Sequence, residues 1–357
     1  MLFNNIYYSV KPLIPRRLQI FARRKMVARK LRQSRDVWPI DERAAAAPEG
    51  WKGWPGGKKF ALVLTHDVET IQGLAKCRHL AEMEKGRGFR SSFNFVPEGY
   101  DVPRGLRQYL VENGFEVGVH GLKHDGKLFV SEKRFLEQAV RINRYLREWR
   151  CVGFSSPSMH HNLEWTHALD IEYDSSTFDT DPFEPQPDGV TTIFPFLVRG
   201  RDGRRGYVEL PYTLPQDFTL FVLVRERDTG IWKAKLDWIA DRGGMALLIA
   251  HPDYMNYRGG ECRMEEYPAR LYEELLDYIE DRHGGLYWNA LPREVARFWV
   301  ESNGGRAAWE AAHEPRLARP GRCTRAPGQG NGRRAPASPP EAAPAEAQGP
   351  DGRRRLP

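Results

Sequence analysis

The chain is poor in cysteine. It has four in 357 residues, Cys77, Cys151, Cys262 and Cys323, and none form a CxxC pair. Spacing this wide excludes a zinc ribbon and a disulfide-stapled small domain, and it fits a reducing compartment. No run approaches the ~18–20 apolar residues of a membrane span. The opening MLFNNIYYSVKPLIPRR lacks the signal-peptide order of charge, apolar core and small-residue cleavage site. The expected location is therefore cytoplasmic. No internal repeat is present, which excludes a solenoid or a propeller. The body also lacks positive charge. The formal net charge is +7, but residues 1–50 carry +7 and residues 304–357 carry +5, which leaves 51–303 at −5. That excludes a nucleic-acid groove in the body and leaves the basic ends as the parts suited to an anionic partner.

What is there reads as globular: 41% hydrophobic and 28% charged residues support a packed core. Residues 1–50 form a basic N-terminal extension. Pro15 can open a helix to about Arg35, with Leu13, Ile20, Val27 and Leu31 near one face. Such a helix either makes peripheral contact with the inner membrane surface or packs on the body. The narrow, interrupted stripe favours the body. Ala44 to Gly57 reads as a linker into a catalytic body over 51–303. The Gly-, Pro-, Ala- and Arg-rich 304–357 is expected to be a disordered tail.

Within the body, strand-like runs alternate with helical ones. Phe60–Thr65, Ser91–Val96, Glu116–Val119, Cys151–Phe154, Ile171–Tyr173, Tyr207–Leu210 and Met245–Ala250 are the strand candidates. FALVLT and MALLIA are continuous apolar runs, the mark of strands buried on both faces. Between them, Ile71–Lys85, Leu106–Glu112 and Ser131–Trp149 have helical spacing. In the last of these, Phe135, Ala139, Ile142 and Leu146 share a face and Ser131 is placed to cap. Two more helices are expected near Glu265–Arg282 and Arg293–Glu301. Residues 178–205 read as a long loop. This alternation predicts an α/β barrel or a doubly wound sheet.

The residues just past the strand ends are chemical. His66, Asp67 and Glu69 follow the first run. His120 and His124 follow the third, in FEVGVHGLKHDGK. Ser155, Ser156 and Pro157 follow the fourth, Asp174 the fifth, and His251 and Asp253 the last. In a parallel barrel all of these reach the carboxyl rim. Two histidines four apart suit one divalent ion. The plain alternative, two loop histidines, weakens because neighbouring strands also end on acids and imidazoles. For Asp67 the plain alternative is a helix cap, and for Glu69 a first-turn dipole partner. His66 alternates away from Asp67 and is left out of the set.

The ordered series THDVE, HGLKHDG, FSSPS, EYDSS and LIAHPDY resembles the NodB-homology polysaccharide deacetylases, over roughly Lys58 to Trp299. The resemblance implies a distorted seven-stranded (β/α) barrel that removes N- or O-acetyl groups from a sugar or glycan. It implies one divalent metal ion, zinc by default, held by Glu69, His120 and His124. Asp67 is then the catalytic base and His251 the general acid, oriented by Asp174. Ser156, Pro157, His160 and Tyr254 are expected against the substrate. Val68 replaces the family's usual second acidic residue, which passes that ligand role to Glu69. Ser155 stands where the family has an arginine holding the base, and a serine cannot supply a guanidinium's charge. That departure keeps a glycan-binding barrel without turnover as an alternative. A metal-dependent hydrolase of another non-peptide amide is the second alternative.

Overall fold

The computed structural model describes residues 15–200 and 206–302. These residues all fall in one compact unit. The expected tail, 304–357, and Leu13 lie outside the described residues.

A helix, α1 (Arg16–Gln33), precedes the barrel. The barrel starts with β1 (Phe60–Val68), and two short helices follow, α2 (Ile71–Leu74) and α3 (Cys77–Gly86). Next come β2 (Ser91–Phe95), α4 (Arg104–Glu112), β3 (Glu116–His120) and α5 (Glu132–Trp149). Then β4 (Gly153–Ser155), α6 (Leu163–Thr166), β5 (Tyr173–Asp174), β6 (Phe196–Val198) and β7 (Tyr207–Glu209). A π-helical stretch, Phe218–Val224, leads to α7 (Gly230–Arg242) and β8 (Met245–Ala250). The chain goes on through β9 (Met255–Asn256), β10 (Tyr267–Pro268), α8 (Arg270–His283), β11 (Tyr287–Asn289) and α9 (Pro292–Ser302).

The main sheet runs β11-β1-β2-β3-β4-β5-β7-β6, with β8 on the other edge of β1. All pairs in it are parallel except β6 with β7. The seven strands expected from the sequence are β1, β2, β3, β4, β5, β7 and β8. The arc curls back on itself where the backbone N–H groups of Thr213 and Leu214 donate to the Leu247 carbonyl at 3.0 Å each. Every residue of β1 and of β8 is buried, because helices cover the outside and side chains fill the inside. Two strands of this sheet were not anticipated, and neither was the separate short pair β9 and β10. β6 lies inside the stretch read as a loop, its three residues only half-buried on the sheet edge. β11 continues the β1 edge that β2 occupies further along: Phe60–Leu62 pair with β11 and Leu64–Val68 with β2.

Local signals explain the helices that support this sheet. Ser131 accepts from the Arg134 N–H at 3.3 Å at the start of α5, whose Phe135, Ala139, Ile142 and Leu146 are buried. The helix stops where Arg150 turns left-handed at φ 56°. On α1, Ile20 and Val27 are buried. Arg24 donates to the carbonyls of Val222 and Met264 at 2.8 Å each, and Lys30 to that of Pro182 at 2.6 Å. The helix thus lies on the body through its thin apolar stripe and three-point polar anchoring.

Candidate active site

Strand register assembles the site. Asp67 stands opposite Asn94, Asn94 opposite Gly118, and His120 opposite Ser155. Four neighbouring strand ends therefore present Asp67, Asn94, His120 and Ser155 side by side at the carboxyl rim. Asn94 Nδ2 donates to Asp67 Oδ1 at 2.9 Å, and Ser155 Oγ donates to the same oxygen at 3.1 Å. Gly118 makes the room: a Cβ there would lie 2.2 Å from Asn94 Oδ1.

Having donated its proton to Asp67, the Ser155 hydroxyl accepts from His120 Nδ1 at 2.7 Å. This fixes the His120 tautomer, with the proton on Nδ1 and the lone pair on Nε2. His120 Nε2 is buried with no hydrogen-bond partner among the described residues. Burial, partly opposed by Asp67, pushes the His120 imidazole down to about 4, so it is neutral near pH 7. Glu69 closes the group. One of its carboxylate oxygens lies 3.0 Å from His124 Nε2, and the other accepts from the Tyr254 hydroxyl at 2.5 Å. Burial works to raise Glu69, but His124 and His251 outweigh it and hold the carboxylate well below its ordinary range. One donor atom from each of Glu69, His120 and His124 lies within 4.8 Å of the others. Two imidazoles and a carboxylate, one imidazole with an orphaned buried nitrogen, fit a divalent ion of the zinc class with coordination positions left open.

Across the cleft, His251 Nε2 is 4.0 Å from Glu69 Oε1. Its Nδ1 lies 2.7 Å from Asp217 Oδ1, while Asp217 Oδ2 accepts from the His251 N–H at 2.8 Å and from Tyr267 at 3.0 Å. Burial alone would lower this imidazole, but the Asp217 carboxylate overrides it and raises His251 to about 10. His251 is therefore cationic at neutral pH. The cleft around these groups has a volume of about 1490 Å³.

No family model and no curated protein matches the chain. Solved structures do. One from Mycobacterium smegmatis, described as a polysaccharide deacetylase, has a TM-score of 0.52 at 18% identity, covering 73% of this chain and 95% of that one. One from Pseudomonas aeruginosa PAO1, also described as a polysaccharide deacetylase, has a TM-score of 0.53 at 16% identity, covering 74% and 98%. The Puue allantoinase has a TM-score of 0.54 at 13% identity, again covering 74% and 98%.

The chain has the polysaccharide deacetylase fold. On that deacetylase barrel, Asp67, Glu69, His120, His124, His251, Ser156 and Tyr254 all line one cleft. Three expectations need correction. Asp174 does not orient His251. It is fully buried on β5 opposite Glu209, its Oδ1 takes the Ser176 hydroxyl, and burial raises it to about 7. The orienting carboxylate is Asp217. A single bridge pairs Leu214 with Leu248 in parallel, so the residue three beyond the first meets the residue three beyond the second. That bridge is too short to read as a strand, which hid Asp217 in YTLPQD. Pro157 and His160 are not on the cleft wall. Pro157 packs on Gly121, and the left-handed pair Ser158 (φ 58°) and Met159 (φ 52°) turns the chain so that Ser156, Ser158 and Met159 face the cleft instead. Asn94 was also missed. Its signal is a polar residue between Phe93 and Phe95 in a buried strand, on the face opposite those rings. His66 points away, as expected, into a buried contact with Glu84 at 2.7 Å.

Proposed function

We propose that this protein is a metal-dependent hydrolase that removes an acetyl group from a sugar or glycan. The observation that carries the reading is the Glu69–His120–His124 group facing the hydrogen-bonded His251–Asp217 pair across one cleft. Glu69, His120 and His124 would hold the ion, zinc by default. When bound, the ion supplies Lewis acidity toward the acetyl carbonyl and the attacking water. Ser155 holds His120 in the tautomer that presents Nε2. Asp67, beside the histidine pair, accepts the proton of the attacking water. His251, kept protonated by Asp217, gives its proton to the departing amine or hydroxyl. The strained backbone at Ser158 offers an N–H to the developing oxyanion. Tyr254 braces Glu69 and presents a ring to the sugar.

The test is metal content beside acetate release from acetylated sugars, for the full chain and for His120→Ala and His124→Ala. Near one equivalent of metal in the parent, with metal and acetate release both lost in the variants, is the expected result. Metal retained without turnover of any acetyl sugar would sink the deacetylase reading. One of the similar structures is an allantoinase, so a second acyl class, non-peptide amides other than acetyl sugars, belongs in the same assay.

A further inference from the structure

The cleft wall includes part of α1. Arg16, Arg17 and Arg23 line it beside the residues of the barrel rim. Arg16 is engaged, 2.5 Å from Glu265. Arg23 lies seven residues on, on the same face of the helix. Its guanidinium sits 5.0 Å over the ring of Phe218. Neither Arg23 nor Arg17 makes a side-chain hydrogen bond or ion pair among the described residues.

The acids of the wall do not cancel this charge. Glu265 belongs to Arg16, and Glu266 to Arg258 at 3.1 Å. The carboxyl that feels Arg23 is Glu184. Its Oε1 already accepts from Tyr212 at 3.0 Å and Gln216 at 2.8 Å. Burial pushes Glu184 up to about 8, so near neutral pH it is mostly the uncharged acid. The body is acidic overall, yet this side of its cleft presents a guanidinium with open donors.

We propose that Arg23, with Arg17 on the same cleft wall, binds an oxyanion, phosphate or carboxylate, that the substrate carries on the side away from its acyl group. A guanidinium steadied over an aromatic ring offers a planar fork to such a group. The position is set by ring contacts: His251 to Tyr254 at 5.3 Å, Tyr254 to Phe218 at 4.7 Å, then Phe218 to Arg23 at 5.0 Å. These contacts place the guanidinium on the cleft wall that also carries His251, beyond Tyr254 and Phe218. The word substrate rests on the deacetylase reading; the anion site does not.

The experiment titrates the full chain with glucose 1-phosphate, glucuronate and glucose by calorimetry. It uses the parent, Arg23→Gln, Arg17→Gln, Arg23→Lys and, as an outward-facing control, Arg29→Gln. The expected result is binding of a sugar anion but not of glucose, about tenfold weaker in Arg23→Gln, partly restored in Arg23→Lys and unchanged in Arg29→Gln. Whichever anion binds more tightly identifies the oxyanion. Equal binding in Arg23→Gln and the parent, with unchanged thermal midpoints, overturns the proposal. So does binding of glucose as tight as that of the anions. Acetate release is scored separately. An intact anion site without release would remove the deacetylase reading alone, while release that ignores both substrate charge and Arg23 would remove the anion site alone.

Discussion

At the residue scale the feature that sets this site apart is the neutral holding of Asp67. Asn94 and Ser155 supply an amide and a hydroxyl where the resemblance implied a guanidinium. Ser155 therefore does two things: it donates to Asp67 and it accepts from His120 Nδ1. Ser155→Ala leaves that buried N–H without its partner and lets the ring rotate. Metal affinity is expected to fall about 10–100-fold, the usual effect of removing a hydrogen-bond partner behind a ligand, measured by competition with a chromophoric chelator. Asp67→Asn separates the roles. A base is lost but its neighbours keep an acceptor, so metal affinity should stay within about tenfold while acetate release falls by about 10²-fold or more. If metal affinity falls as far as release does, Asp67 orients His120 and is not the base. The second approach to His120 Nδ1, Asp67 Oδ2 at 3.4 Å, makes that outcome a real contest.

At the scale of elements, the parts that the sequence revealed are those whose reason is local. FALVLT and MALLIA are strands because short unbroken apolar runs suit a parallel sheet covered on both faces. Ser131 caps α5 because a hydroxyl meets a free N–H there. The His120–His124 spacing was legible for the same reason, whereas the ligand role of Glu69 entered through the family resemblance, because Val68 stands at the usual acidic position. Asp217, Asn94 and the placement of Pro157 were not, because each depends on a register or a turn that tertiary packing decides. The helix α1 lies between these cases. Its amphipathic stripe was readable, but its course along the cleft depends on polar anchors that no pattern encodes. Arg24 is the chief one, with its two main-chain carbonyls on separate segments, at Val222 and Met264. Arg24→Ala should cost about 1–3 kcal/mol, since charge-assisted bonds are lost and half-buried carbonyls are stranded. Urea denaturation measures that loss. Faster protease cleavage within α1, with the barrel left intact, would place it in the helix.

At the scale of the whole molecule the body carries an unusual load of buried carboxyls away from the metal group. Burial raises Glu116 to about 7, Asp179 and Asp181 to about 6, and Glu184 to about 8. The sign follows from linkage. Glu116 has an ordinary value of 4.5, so below that pH folded and unfolded chains are both protonated and it contributes no slope. Between 4.5 and about 7 the folded state binds more protons, so stability falls as pH rises, and above that range the full cost is present. For Glu116 the full cost is on the order of 3 kcal/mol. His251, raised to about 10, acts in the same direction above its ordinary 6.5: its contribution is full below that value and is lost as pH climbs through 10. His120, lowered to about 4, acts oppositely, but only between 4 and 6.5. The thermal midpoint should therefore decline from pH 6.5 to pH 9. Glu116→Gln tests the account at one residue. Gln keeps the shape and one acceptor for Tyr173 or for the Arg293 N–H, which Glu116 now serves at 3.1 and 3.2 Å, and it cannot ionise. Relative to the parent, the variant should gain roughly 2–3 kcal/mol between pH 5 and pH 8. A stability difference between the two proteins that does not change with pH would mean that Glu116 ionises in the folded protein as it does in water, and that the buried carboxyls are compensated where they sit.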